Sequence, residues 1–384
     1  MRYCLAFLSL TAVAGAAADA GPWKSVSSDA IRGHVEFLAS DLLEGRAAAS
    51  RGYDIAAAYV AAQFREAGLE PGGDQGGYFQ AVPLLEAMPV LPGSSAQLVR
   101  ENESLVFEYG TDYLPSADFT SASSTLTAPL VFAGFGVAAP EFGHDDLAHL
   151  ELQGRIAVVL SGAPAKFAND QRAYYSSSHV KWPMLSERGA VGLITIDSLA
   201  DAKRVPWERS VAMSWAPQMR WLDADGKPQN AFPELKLRFR FNHTAAARLF
   251  EGAPASLEQA LAAADAGERQ GFVLPGMLTL SATTGLRRTE SANVLGVLRG
   301  TDPLLKNEYV VITAHLDHLG RGAAVNGDSI YNGAQDNALG VGILLELARA
   351  LCNADVKPRR SILFAAVTAE EKGLLGSDFL AARA

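Results

Sequence analysis

The sequence predicts an α/β fold, a mixed-sheet domain interrupted by an inserted β-rich module, and three features carry that expectation. The last hundred residues alternate strand and helix. Residues 293–298 and 309–314 are apolar runs, Val341, Leu344, Leu345, Ala348 and Leu351 make a helical stripe, and residues 361–367 are again apolar. Continuously apolar strands are covered on both faces, which places them in a central sheet. Near the start, apolar residues recur at helical spacing. Between residues 118 and 279 the texture changes to short β-rich runs, such as 130–132, 156–160 and 191–196, separated by turn residues.

Taken in order, residues 1–20 place Arg2 ahead of an apolar stretch from Tyr3 to Ala18 that closes on Ala18-Asp19-Ala20. That order of charged, apolar and small residues predicts a cleaved export signal, and the stretch is shorter than the ~18 residues that span a bilayer. Residues 21–117 form the first part of the α/β domain. Ile31, Val35, Leu38 and Leu42 follow Ser28 at helical spacing, with Gly45 in the place of a left-handed C-cap. Ala56, Val60 and Phe64 mark a second helix between Gly52 and the stop Gly68-Leu69-Glu70-Pro71. A Gly-rich turn over residues 71–77 leads to strand-like segments broken by Pro89, Pro92 and Gly93.

Residues 118–279 are the insertion. Gly134, Gly136, Gly154, Gly162 and Gly192 punctuate it as turn glycines, with no GxGxxG or Walker loop among them. His144-Asp145-Asp146 reads as a solvated turn. Residues 280–384 complete the α/β domain. Basic side chains number 33 against 42 acidic, a formal charge of -9 with no basic run, so a nucleic-acid-binding surface is excluded and no segment after the leader is apolar enough to span a membrane. Of the two cysteines, Cys4 lies in the leader, so the mature chain keeps only Cys352, read as a buried small hydrophobe in a protein without disulfides.

The chemistry concentrates near the C-terminus. His315-Leu316-Asp317-His318 follows a strand, Asp336 precedes a helix, and Glu370-Glu371 follows another strand. In open α/β sheets, ligands bind at the carboxyl ends of strands, so these clusters meet at one edge. So many carboxylates together are unfavourable unless a cation or protons neutralise them. Histidine mixed with carboxylate suits zinc better than calcium or magnesium. His315 offers an imidazole nitrogen, Asp336 can bridge two ions, and one of the paired glutamates can ligate while the other faces an attacking water. Asp317 is expected to accept the second ring N–H of His315 and fix its tautomer. His318 lines the site or braces its loop. His34, His149, His179 and His243 have no ligand-spaced company.

Residues 314–320 (AHLDHLG), 332–340 (NGAQDNALG) and 368–377 (TAEEKGLLGS) resemble the M28 family of zinc aminopeptidases. Residues 131–136 (VFAGFG), 154–160 (GRIAVVL) and 188–192 (RGAVG) resemble the protease-associated (PA) domain inserted in many of these enzymes, and residues 37–41 (FLASD) and 44–46 (EGR) are typical of the PA-containing members. The resemblance implies a phosphorylase/hydrolase-like peptidase domain acting on peptides with a free N-terminus. It implies two Zn2+ ions, His315 on one, Asp336 bridging both, Glu371 on the other, and Glu370 as general base and later proton donor. The family's remaining ligands come from beyond the paired glutamates, where residues 372–384 hold no histidine, so the chain is expected to be a truncated member of uncertain activity. Carboxypeptidases of the same family are the first alternative, with Arg321 as the arginine nearest the motifs. A non-catalytic protein that binds a partner through the PA module is the second. M20 carboxypeptidases space their ligands more widely, and glutaminyl cyclases lack the paired-glutamate peptidase context. Export implies a periplasmic or extracellular location.

Overall fold

The computed structural model describes residues 21–383 apart from 91, 92, 102 and 215, and the expected leader, residues 1–20, lies outside them. Helix α1 (Ser28–Leu38) begins at Ser27, whose hydroxyl accepts from the Ala30 N–H. It is one turn shorter than the apolar spacing predicts, and Leu42 is 81% exposed. The reason is local: Ser40 accepts from the Leu42 N–H and starts a separate 3-10 turn, Asp41–Leu43. Three consecutive residues, Glu44, Gly45 and Arg46, then take left-handed backbone. Gly45 is therefore a turn residue and not the cap of α1. A Cβ there would stand 2.5 Å from the Tyr331 carbonyl oxygen. Helix α2 (Arg51–Glu66) runs as expected from Ser50, which caps the Tyr53 N–H, and buries Tyr53, Ala56, Val60 and Phe64.

The first sheet holds β1 (Phe79–Pro89), the second half of β2 (Phe272–Leu298), β3 (Tyr309–His315) and β4 (Ser361–Val367). Its order is β1-β2-β4-β3, with Gln218–Trp221 added outside β1. Only the β3–β4 pair is parallel, so the sheet is mixed as predicted. Helices α1, α2 and α3 (Leu339–Cys352) cover one face, where Phe64, Val294, Leu316, Val341, Leu344 and Phe364 share a core. On the other face α4 (Leu375–Ala382) sets Leu375 and Phe379 against Val82, Leu84 and Met219. Strand β4 is central, but among the described residues β3 pairs on one side only. Tyr309, Val310 and Val311 are about half exposed, so β3 is an edge and not the covered strand its composition suggests. Cys352 ends α3, half-buried, and burial pushes its thiol pKa up.

The first half of β2 leaves this sheet for a second one, where it pairs with Ser95–Arg100 and Ser123–Phe132. That sheet continues through Ile156–Leu160, Gly192–Ile196 and Leu237–Phe241 to Tyr113–Pro115. The change of sheet does not coincide with residue 118: second-sheet strands begin at Ser95, and Gln218–Trp221 returns to the first sheet. Gly134, Gly136, Gly154 and Gly162 have positive φ, as turn glycines should. The turn at 144–146 is not solvated. His144 and Asp146 are buried, 2.9 Å apart, and the Asp146 carboxylate accepts from the N–H groups of Phe135 and Val137. Asp146 thus braces the glycine loop, a structural duty that its neighbours in sequence did not reveal.

Candidate metal centre

The site lies at the carboxyl ends of β3 and β4. His315 is the last residue of β3 and pairs with Val367, the last of β4, and the Leu316 N–H donates to the Val367 carbonyl. The parallel register therefore delivers the His315–His318 turn and the Glu370–Glu371 turn to one place. Asp336 arrives from a distorted helical turn, Ala334–Ala338, just before α3.

His315 Nε2 stands 2.9 Å from Asp336 Oδ1 and 3.9 Å from Glu370 Oε2. Its Nδ1 lies 3.1 Å from the backbone carbonyl oxygen of Asp317, which can only accept. Nδ1 therefore carries the hydrogen, and in the neutral ring the lone pair of Nε2 faces the Asp336 carboxylate. Two lone pairs at that separation require a proton or a cation between them, a need that a bound metal would meet. His318 Nδ1 lies 2.6 Å from Glu371 Oε1. Two sets of donor atoms lie within 4.8 Å of one another, His315 with Glu370 and Glu371, and His318 with Asp336 and Glu371. All five expected site residues thus meet, Asp317 included, and His318 joins them. Imidazole and carboxylate are a donor set that zinc accepts.

Asp317 acts differently from the expected ring acceptor. Its side chain is fully buried, its Oδ1 is 3.9 Å from His315 Nδ1, and the two oxygens instead accept from the backbone N–H groups of Glu370 (3.0 Å) and Glu371 (3.3 Å). The carboxylate therefore shapes the paired-glutamate turn, while its own backbone carbonyl orients His315. Burial pushes its carboxyl pKa up to about 6, against the lowering by those N–H groups and by His315. Lys372, held below the usual lysine range by burial, faces Asp317, Glu371 and Glu86.

Two residues to which sequence reasoning gave no role tie the site to the fold. Asn293, fully buried in β2, donates to the Gln80 side chain and the Gly376 carbonyl, both at 2.8 Å, and accepts from the Thr368 N–H at 2.9 Å. It pins the chain on both sides of Glu370 and Glu371. A polar residue inside an apolar strand was the available signal. Arg46, fully buried, donates to the carbonyls of Leu38, Leu316, Asn332 and Gly333. Its signal was its place in the EGR segment, residues 44–46, which carried a resemblance but no role for the side chain.

Residues 293–384 match peptidase family M28. A protein named "Probable zinc metalloprotease" from Pyricularia oryzae is 35% identical over 120 residues, 31% of this chain and 23% of its own length. "Aminopeptidase NAALADL1" of Rattus norvegicus is 36% identical over 102 residues, 26% of this chain and 12% of its own. The chain thus spans less than a quarter of either relative. Among solved structures, the aminopeptidase from Aneurinibacillus sp. strain AM-1 is similar over 94% of this chain and 67% of its own, at 20% identity and a TM-score of 0.47.

Proposed function

We propose, from the match of residues 293–384 to peptidase family M28, that the protein is a zinc aminopeptidase which removes N-terminal residues from peptides. The observation that carries the reading is the meeting of His315, Asp336, Glu370 and Glu371 within ligand distance at the ends of two parallel strands. His315, Asp336 and Glu371 would hold a pair of zinc ions, with Asp336 shared between them. Zinc in such a site acts as a Lewis acid on the scissile carbonyl.

Glu370 is the general base. Its carboxylate is a third exposed, so it can meet solvent and substrate, while its backbone is fixed by Asp317. It takes a proton from the attacking water and returns it to the departing amine, so that the C–N bond breaks and the base is regenerated. His318 orients Glu371 through the 2.6 Å contact, and the Asp317 carbonyl keeps the His315 lone pair on Nε2. The surplus of carboxylates favours a substrate end that is cationic, a free α-amino group. A carboxypeptidase would need an arginine for the substrate carboxylate, and Arg321 is instead paired with Glu44 at 3.0 Å. Residues 1–20 would direct export, and the β-rich insertion would be a PA module.

The test compares Glu370→Gln with Glu371→Gln, reading zinc content and hydrolysis of aminoacyl anilides. Glu370→Gln should keep zinc and lose about 100- to 10,000-fold in rate, whereas Glu371→Gln should lose zinc. The reverse pattern would swap the two roles. Zinc uptake by the wild-type chain without anilide hydrolysis would sink the aminopeptidase reading.

A further inference from the structure

Arg46 has no exposed surface and is the bulkiest fully buried side chain among the described residues, and none of its partners is a carboxylate. Its Nε donates to the Leu316 carbonyl at 2.8 Å, between His315 and Asp317. Nη1 donates to Leu38 at 2.8 Å and to Asn332, and Nη2 to Gly333 at 2.6 Å, just ahead of Asp336. The backbone joins in: the His318 N–H donates to the Arg46 carbonyl at 3.2 Å, and the Gly320 N–H to that of Gly45 at 3.1 Å. One planar fork with fixed donor directions therefore spans the two turns that carry His315 and Asp336.

Three further features fit this placement. Arg46 has φ 40 and Glu44 φ 47, a left-handed backbone that side-chain-bearing residues adopt when their surroundings dictate it. Gly333, at φ 61, leaves room for the fork: a Cβ there would lie 2.7 Å from Arg46 Nη2 and 2.6 Å from the His318 ring. Because the guanidinium spends its donors on neutral carbonyls, its charge remains available to Asp317, Asp336 and Glu371, which oppose the lowering of its pKa by burial.

We propose that Arg46 is a positioning residue of the metal centre: by holding the Leu316, Asn332 and Gly333 carbonyls on one rigid fork, it sets the separation of the His315 turn from the Asp336 turn. The inference rests on the metallopeptidase reading above. Arg46→Lys keeps the charge but not the fork, and Arg46→Ala removes both. The readouts are the zinc affinity of the full chain, by competition with a chromophoric chelator, and its melting temperature in EDTA. Arg46→Lys should weaken zinc binding about 10- to 100-fold, as loss of a ligand's orienting partner does, and methylguanidinium should restore part of the affinity lost in Arg46→Ala. An arginine that merely supports the fold would lower the metal-free melting temperature and leave the zinc affinity of the folded protein unchanged, which overturns the proposal. Failure of both variants to fold overturns it too, since Arg46 would then serve the fold. Equal zinc binding by Arg46→Lys and wild type refutes the positioning role alone, whereas no zinc uptake by wild type refutes the metal reading with it.

Discussion

Asp317→Asn separates the needs of the fold from those of the metal. In the folded chain both carboxylate oxygens accept backbone N–H groups, from Glu370 at 3.0 Å and Glu371 at 3.3 Å. An amide of the same shape can serve one of them, and its NH2 would meet the other donor head-on. Losing a hydrogen bond to a charged group costs about 1.5–3 kcal/mol, and stranding the second buried donor costs about 1–3 more. Against this, the substitution removes an anion that burial disfavours. A carboxyl raised from 3.8 to about 6 represents a penalty of about 3 kcal/mol at neutral pH. The costs come to about 2.5–6 kcal/mol against a relief of about 3, so the metal-free melting temperature should fall by about ten degrees at most. Zinc affinity should fall about 10- to 100-fold because the Glu370–Glu371 turn loses its frame. The pH dependence has a definite sign. With the folded pKa raised, the stabilising protonation is fully present below about 4 and is lost as pH rises through about 6. Metal-free wild type should therefore lose stability over that window relative to Asp317→Asn. Chelator competition and melts in EDTA at pH 4 to 7 supply the data, and unchanged zinc affinity in Asp317→Asn would refute the reasoning.

Two further outcomes concern the scaffold. Lys181 is buried, donates to the Leu160 carbonyl at 3.0 Å, and has its pKa lowered to about 8 by desolvation; since the unfolded chain holds that proton to about 10.5, wild type should gain up to about 3 kcal/mol over Lys181→Met as pH rises from 8 to 10.5, measured by urea unfolding, and parallel pH profiles would refute it. Gly52 sits in the first turn of α2 where a Cβ would fall 1.9 Å from the Leu43 carbonyl oxygen, so Gly52→Ala should cost about 1–3 kcal/mol by overpacking even though alanine favours helix; a stabilised variant in thermal melts would contradict the packing seen here.

What the residues disclosed follows the range of the forces involved. Residues 361–367 and 309–314 were legible as strands because apolar runs bounded by turn signals report burial, and burial is local to the element. That β3 is an edge was not legible, since pairing partners are a property of other segments. The 27-residue strand β2 was not legible, since Pro275 and Gly276 oppose a continuous strand; the structure absorbs them in a register shift between Leu274 and Met277. Leu42 continued the spacing of α1, but the hydroxyl of Ser40 outweighed it. The candidate metal residues were legible because each follows a strand or precedes a helix. The residues that hold them were not. Asn293 reaches backbone groups 75 and 83 positions away, and Arg46 reaches carbonyls 270 to 287 positions away as well as that of Leu38, and such partners leave no spacing pattern.

This division explains how four carboxylates can share one sheet edge. Asp317, Asp336, Glu370 and Glu371 repel one another, and no side-chain ion pair with Arg46 relieves them. If the turns were held only by ligand–ion contacts, the metal-free chain would splay. Instead each turn is fastened through its backbone: Leu316, Asn332 and Gly333 to Arg46, Glu370 and Glu371 to Asp317, and Thr368 and Gly376 to Asn293. Backbone fastening spares the carboxylates of Asp336 and Glu370 any backbone duty, and among the described side chains they and Glu371 meet only the two imidazoles, groups that are themselves candidate ligands. On the proposed reading, the same network that makes the metal-free site costly would fix the geometry in which a divalent ion is bound.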